Sequence, residues 1–196
     1  MEKLENGYAF DCAIASNTRE PILRYRVAYK VEKGALVIET DYECANFAGV
    51  TPRFGFEFAV DKKYSDFSYV GFGPYESYSD RKVACEYGYF ESNAEDNYEK
   101  NYVRPQESGS HCDCKYLAVK DLFKVTAEKP FSCSVNPYTT EQLRETRHAF
   151  ELEENDFVNV CIDVAMRGVG SHSCGPDLPD EFEIPRQGSN TFKFKF

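Results

Sequence analysis

The chain has no tryptophan, two methionines and three histidines among its 196 residues. No apolar run approaches the ~20 residues that a bilayer-spanning helix needs. Positive charge is also scarce. Lysine and arginine number 23 against 33 acidic residues, giving a net charge of −10. So acidic a body repels phosphate backbones, which argues against general nucleic-acid binding. The opening Met1–Phe10 has no basic region followed by an apolar stretch, so no secretory signal is expected. No Asn-x-Ser/Thr sequon occurs. The eight cysteines are therefore read as free thiols in a reducing cytoplasm rather than as a disulfide framework. With 42% hydrophobic residues the chain can bury a core, and the expectation is one domain over 1–196.

What is present has a period of two, the repeat of a strand. Tyr8, Phe10, Cys12 and Ile14 alternate with small or polar residues, as do Tyr25, Val27, Tyr29 and Val31. After a turn at Gly34, Leu36, Ile38, Thr40, Tyr42 and Cys44 face one way and Glu39, Asp41 and Glu43 the other. This predicts a long antiparallel hairpin with one wet face. Phe54, Phe56, Phe58 and Val60 repeat the pattern, and so do Phe192, Phe194 and Phe196. Phe157–Met166 is apolar on both alternating sets, which predicts a strand covered on both faces; Asp163 inside it needs a partner. One short helix is expected where Thr139 and Gln142 form a capping-box spacing, with Arg144, Arg147 and His148 toward its C-terminal end. The polar stretch 91–110 reads as a long loop. The fold class is all-β, an antiparallel sandwich.

Three constellations could carry chemistry. Cys112 and Cys114, beside His111, place two thiols two apart on a strand, on one face. A second ligand pair is not evident, so packed cysteines are the plainer reading and no metal is assigned. The run Gly168–Pro176 carries three glycines and a proline after the most buried strand, where a rigid element can hold a binding loop. Its His172 and Cys174 stand two apart, an unpromising spacing for a nucleophilic pair. Thirty-three acids make any glycosidase-like pair trivial to pick, so their number says nothing.

Longer motifs are more specific. Gly71-Phe72-Gly73-Pro74-Tyr75-Glu76-Ser77-Tyr78-Ser79-Asp80-Arg81 resembles the Gly-x-Gly-Pro-x-Glu-x-Tyr-x-Asp-Arg signature in the C-terminal domain of family 2 glycoside hydrolases of the β-galactosidase type. Tyr102–Gly109 is similar to that domain's Tyr-Val-x-Pro-x-Glu-Asn-Gly motif, with Ser108 where Asn is usual. The stretch 168–182 resembles its Gly-x-Gly-x-x-Ser-x-Gly-Pro…Glu-Phe ending. The three are collinear and the resemblance spans essentially the whole chain.

The resemblance implies a sandwich similar to galactose mutarotases, of which this chain holds only the later part. Strand edges or an apolar face would then be left open. It implies a parent enzyme that hydrolyses terminal β-galactosides with retention, through two carboxylates on a (β/α) barrel outside this chain. The catalytic barrel and other domains would be the partners, in a possible homo-oligomer, with no membrane contact. This chain would be structural and inactive alone. It would line the substrate pocket by the 168–176 loop, with Ser171, His172, Ser173 and Cys174 touching the galactoside; relatives often carry a Trp at the Cys174 position. The family's Mg and Na ions would be bound mainly elsewhere, leaving no cofactor here. The rival classes are a non-catalytic carbohydrate-binding sandwich, disfavoured by the missing Trp, and a mutarotase-type epimerase, disfavoured because His111, His148 and His172 fit no matching motif.

Overall fold

The computed structural model describes residues 1–15, 20–45, 51–170 and 176–196. Its strands are β1 (Glu2–Leu4), β2 (Gly7–Ile14), β3 (Leu23–Glu32), β4 (Ala35–Cys44), β5 (Arg53–Asp61), β6 (Asp66–Gly73), β7 (Glu86–Asn93), β8 (His111–Val119), β9 (Phe123–Asn136), β10 (Phe157–Met166) and β11 (Gln187–Lys195). Two helices, α1 (Ala94–Asn97) and α2 (Thr140–Glu145), and three short 3₁₀ turns complete the described elements. Among the described residues all strand pairings are antiparallel. They run β1-β2-β3-β4-β11-β9-β8-β6-β7, with β10 joined to β9 and β5 joined to β10.

β9 belongs to both layers. Its first half pairs with β11 over Lys124–Ala127, and its second half pairs with β10 over Ser132–Asn136. The β5–β10 layer thus folds back over β3, β4 and β11. Aromatic side chains fill the gap: Phe54 meets Tyr25 and Tyr42 at 5.6 and 4.6 Å, Phe56 meets Phe192 at 5.7 Å, and Phe58 meets Phe123 at 5.9 Å. The expected antiparallel sandwich is the observed architecture.

β10 is covered on both faces, with Val158, Val160, Cys161 and Ile162 all buried between β5 and β9. β4 alternates as its sequence predicts, burying Ile38, Thr40 and Tyr42. On β2 and β3 the alternation overstates burial. Leu23 and Val27 are covered, whereas Tyr8, Ile14, Tyr29 and Val31 are exposed. The opposing layer reaches β3 near Tyr25, through Phe54, and leaves the far end of the hairpin open.

Three local departures stand out. The 91–110 stretch is not all loop. Glu91–Asn93 ends β7, and Asn93 caps α1 by accepting from the Glu95 and Asp96 amides at 3.0 Å. Asx capping makes a helical turn without any apolar period. Around Cys112–Cys114 the β8–β9 register slips, and Asp113 takes a left-handed φ of 54°. The simple two-residue repeat fails at this bulge. Cys114 enters the main core beside Cys133, while Cys112 lines a separate small cavity with Tyr78 and Met166. The Thr139–Gln142 capping box forms as expected, but α2 ends at Glu145, so Arg147 and His148 lie beyond it. Among the described residues no helix is long and apolar enough to cross a membrane.

Phe192 is fully buried where the two layers meet. Phe192→Ala should lower stability by about 4 kcal/mol, the cost of lost transfer energy plus a cavity. Denaturant unfolding checks this.

Candidate functional site

The three motif segments meet at one end of the sandwich. A cis bond joins Gly73 to Pro74 at the end of β6. Beyond it, Glu76 turns its carboxylate inward, with only 5% of the side chain exposed. Glu76 accepts from Tyr78 Oη at 3.1 Å, Arg81 Nη1 at 2.7 Å and the Gly109 amide at 2.9 Å, and also from Tyr102 Oη. One carboxylate thereby ties the first motif to both ends of the second. Gly109 needs its glycine: its φ is +71°, and an added Cβ would stand 2.6 Å from the Asn97 carbonyl oxygen.

Tyr78 and Arg81 exchange backbone hydrogen bonds of 3.0 Å in each direction, so Ser79 and Asp80 form the tip of a tight turn. Asp80 accepts from the amides of Val169 at 3.0 Å and Gly170 at 2.8 Å. The first motif thus also holds the third. Just before that loop, Arg167 donates to Glu183 at 2.7 and 2.5 Å and to Asp177 at 2.5 Å. The Gly168 amide donates to the Phe182 carbonyl at 3.0 Å. Both sides of the 168–176 loop are therefore anchored to the same neighbourhood.

Below this region lies the partner that Asp163 requires. Arg53 donates to both Asp163 oxygens, at 3.1 and 2.6 Å, and to Glu107 at 3.1 Å. Burial pushes the carboxyls of Asp163 and Glu107 upward, against the opposing pull of Arg53. The ion triad joins β5, β10 and the second motif.

Ser108, at the position where the family usually has Asn, is buried. It accepts the Glu99 amide on its hydroxyl at 2.9 Å and the Asn136 amide group on its carbonyl at 3.3 Å. His111 is equally enclosed. Its ring stacks on Tyr69 at 4.0 Å, and Nε2 lies 2.8 Å from Asn97 Oδ1. Asn97 gives its own N–H groups to the Gly109 and Val135 carbonyls, which fixes its oxygen toward the ring. Nε2 thus faces an acceptor, and Nδ1 lies 3.3 Å from the Phe72 carbonyl oxygen. Burial brings the His111 pKa down to about 4. This is a structural histidine that braces the end of the second motif.

The sequence-predicted contact residues Ser171, His172, Ser173 and Cys174 lie outside the described residues, so only the roots of their loop are placed. Glu76, Asp80, Arg53 and Arg167 were not singled out by sequence reasoning. For Glu76, Asp80 and Arg167 the signal is a charged residue inside or directly beside a recognisable motif; Arg53 lies outside all three and carries no such signal. The seven described cysteines are unpaired; Cys112, Cys114, Cys133 and Cys161 are buried, while Cys12, Cys44 and Cys85 are half-buried. Among the described residues no three His, Cys, Asp or Glu side chains gather as metal ligands.

Removing one partner of a buried ion pair leaves the other uncompensated. Asp163→Ala should cost about 3–5 kcal/mol in denaturant unfolding. His111 yields a pH dependence. Its folded pKa is depressed from 6.5 to about 4, so the unfolded chain takes the proton first as pH falls. Stability present above pH 6.5 should be lost progressively toward pH 4, by about 3 kcal/mol in all. Replacement His111→Gln should flatten that part of the profile, read as the difference in unfolding free energy between pH 7 and pH 4.

A β-galactosidase of Actinobacillus pleuropneumoniae is 37% identical over 190 residues, covering 96% of this chain and 18% of that protein. A β-galactosidase of Staphylococcus xylosus is 34% identical over 197 residues, covering 98% of this chain and 20% of that protein. The chain thus spans about one fifth of the length of these curated relatives. A solved galactose mutarotase related enzyme from Lactobacillus acidophilus aligns over 100% of this chain and 70% of its own, at 8% identity and a TM-score of 0.39. The family model described as β-galactosidase small chain matches residues 2–196, and with that match the chain belongs to the β-galactosidase small chain family.

Proposed function

We propose that this chain, as one sandwich domain, is the C-terminal part of a β-galactosidase that hydrolyses terminal β-D-galactosides with retention. Within it, the chain walls the substrate pocket with the 168–176 loop and packs against the catalytic barrel and other domains. The observation that carries this reading is the convergence of all three motifs on the roots of that loop. Glu76 spends its hydrogen bonds on Tyr78, Arg81, Tyr102 and Gly109, and Asp80 spends its own on Val169 and Gly170. Charged groups used in this way hold a loop; they are not free to act as acid and nucleophile on a glycosidic bond. Ser171, His172 and Ser173 would offer hydrogen bonds to sugar hydroxyls, and Cys174 a small apolar contact.

The surface supports the partnership with a larger polypeptide. A cavity of about 600 Å³ opens between the hairpin and β5, lined by Phe10, Tyr25, Phe54 and Phe56 with Arg53 and Asp163. Tyr29 and Ile14 are exposed at its rim. β5 pairs only with β10 among the described strands, leaving a strand edge beside the cavity. An apolar groove next to an open edge suits a neighbouring segment of the parent enzyme, which would bury both.

In the complete enzyme, exchanging residues 168–176 for a short glycine linker should raise KM for a nitrophenyl β-galactoside while the circular dichroism spectrum stays unchanged. The purified 196-residue chain should show no turnover. Unaltered KM in the loop variant, or real turnover by the chain alone, would sink the proposal.

A further inference from the structure

We infer that Asp80 is a positioning residue for galactoside binding, its carboxylate fixing the backbone of Val169 and Gly170 at the described root of the 168–176 loop. The inference rests on the reading that this loop lines the substrate pocket. Three observations carry it.

Asp80 stands on a rigid support. The turn that bears it is closed by the paired Tyr78 and Arg81 backbones. Tyr78 is buried, and its hydroxyl and the Arg81 guanidinium both bind Glu76. Next, the carboxylate reaches two successive amides, one per oxygen: Oδ1 to Val169 and Oδ2 to Gly170. Two bonds from one planar group fix the direction of a backbone, where a single bond would leave it free to swing. Arg167 and Gly168 are tied to Glu183 and Phe182, so Asp80 carries the fixation two residues further into the loop. Finally, the glycines are shaped to this carboxylate. A Cβ on Gly168 would lie 2.6 Å from Asp80 Cγ, and one on Gly170 would lie 3.0 Å from its Oδ2. The glycines allow a carboxylate to sit directly on the backbone.

Asparagine cannot replace this function fully. Its oxygen can accept from one amide, while its NH₂ group faces the other donor with nothing to receive. Asp80→Asn should therefore fall between the parent and Asp80→Ala.

The test uses the complete enzyme and a nitrophenyl β-galactoside, with Asp80→Ala, Asp80→Asn, Gly168→Ala, the Asp80→Ala/Gly168→Ala pair and the glycine-linker loop variant. Amide hydrogen exchange of the segment containing Val169 and Gly170 is read in parallel. Losing hydrogen bonds to a charged acceptor should speed that exchange by about tenfold or more in Asp80→Ala. KM should rise about threefold to tenfold with kcat changed less than about twofold, the pattern of lost uniform binding. Gly168→Ala alone should raise KM by crowding the carboxylate, yet add little once Asp80 is alanine, because contacting residues are non-additive. If the linker variant raises KM but Asp80→Ala moves neither KM nor exchange, or if the two substitutions simply add, the role of Asp80 is refuted and the pocket-lining reading survives. If the linker variant itself leaves KM unchanged, that reading fails and the inference with it. Should Asp80→Ala lower the melting temperature, the isosteric Asp80→Asn and the Gly168 cycle decide the matter.

Discussion

The guanidinium of Arg53 is the constraint around which this end of the molecule is arranged. It sits on the first residue of β5, yet its partners are Asp163 on β10 and Glu107 on the second motif. A buried charge of this kind adds little net stability compared with an apolar replacement. What it imposes is registry. Asp163 lies where the β5–β10 ladder slips, between its pairing with Gly55 and the pairing of Ala165 with Phe54. The bidentate contact holds the two strands in that slipped alignment, and through Glu107 it pulls the 102–109 segment onto them. The second motif then offers Gly109 to Glu76, and Glu76 in turn steadies the turn that carries Asp80. A chain of polar contacts thus runs from the sandwich interior to a surface loop.

Much of the sandwich is legible in the sequence because its information is local. The alternation over β4, the two-sided apolar run of β10 and the Thr139–Gln142 cap each occupy one short window, and each is realised. The cost of burying Asp163 is legible too, since any buried carboxylate demands a partner; which partner is not, because Arg53 lies 110 residues away. The misjudged parts share that non-local origin. Whether Tyr29 and Val31 are covered depends on how far the opposite layer extends, not on their own strand. The bulge at Asp113 needs a left-handed backbone at a residue type that tolerates it without announcing it. The division of β9 between two layers leaves only a break in the alternation at Glu128-Lys129-Pro130, which does not say where each half pairs.

The candidate site divides in the same manner. Glycines at 168 and 170 mark a loop that backbone or ligand approaches closely, which the sequence alone suggests. That the approaching group is an aspartate from 90 residues earlier, and not a ligand, is a fact of three-dimensional arrangement. Motif strings usually invite a catalytic interpretation. Here the charged members of the first motif are consumed in holding the other two motifs.

β11 has a consequence for how the protein is made. It is the last described strand along the chain, yet it sits in the middle of the sheet order, between β4 and β9. A ribosome delivers residues from the N-terminus onward, so β1 to β10 all emerge while this slot is vacant. Until Gln187–Lys195 clears the exit tunnel, both β4 and β9 present bare ladder edges, and Phe56 and Phe131 wait without Phe192. The nascent chain is therefore least protected just before this strand arrives, because two ladder edges that the finished sheet pairs are still open.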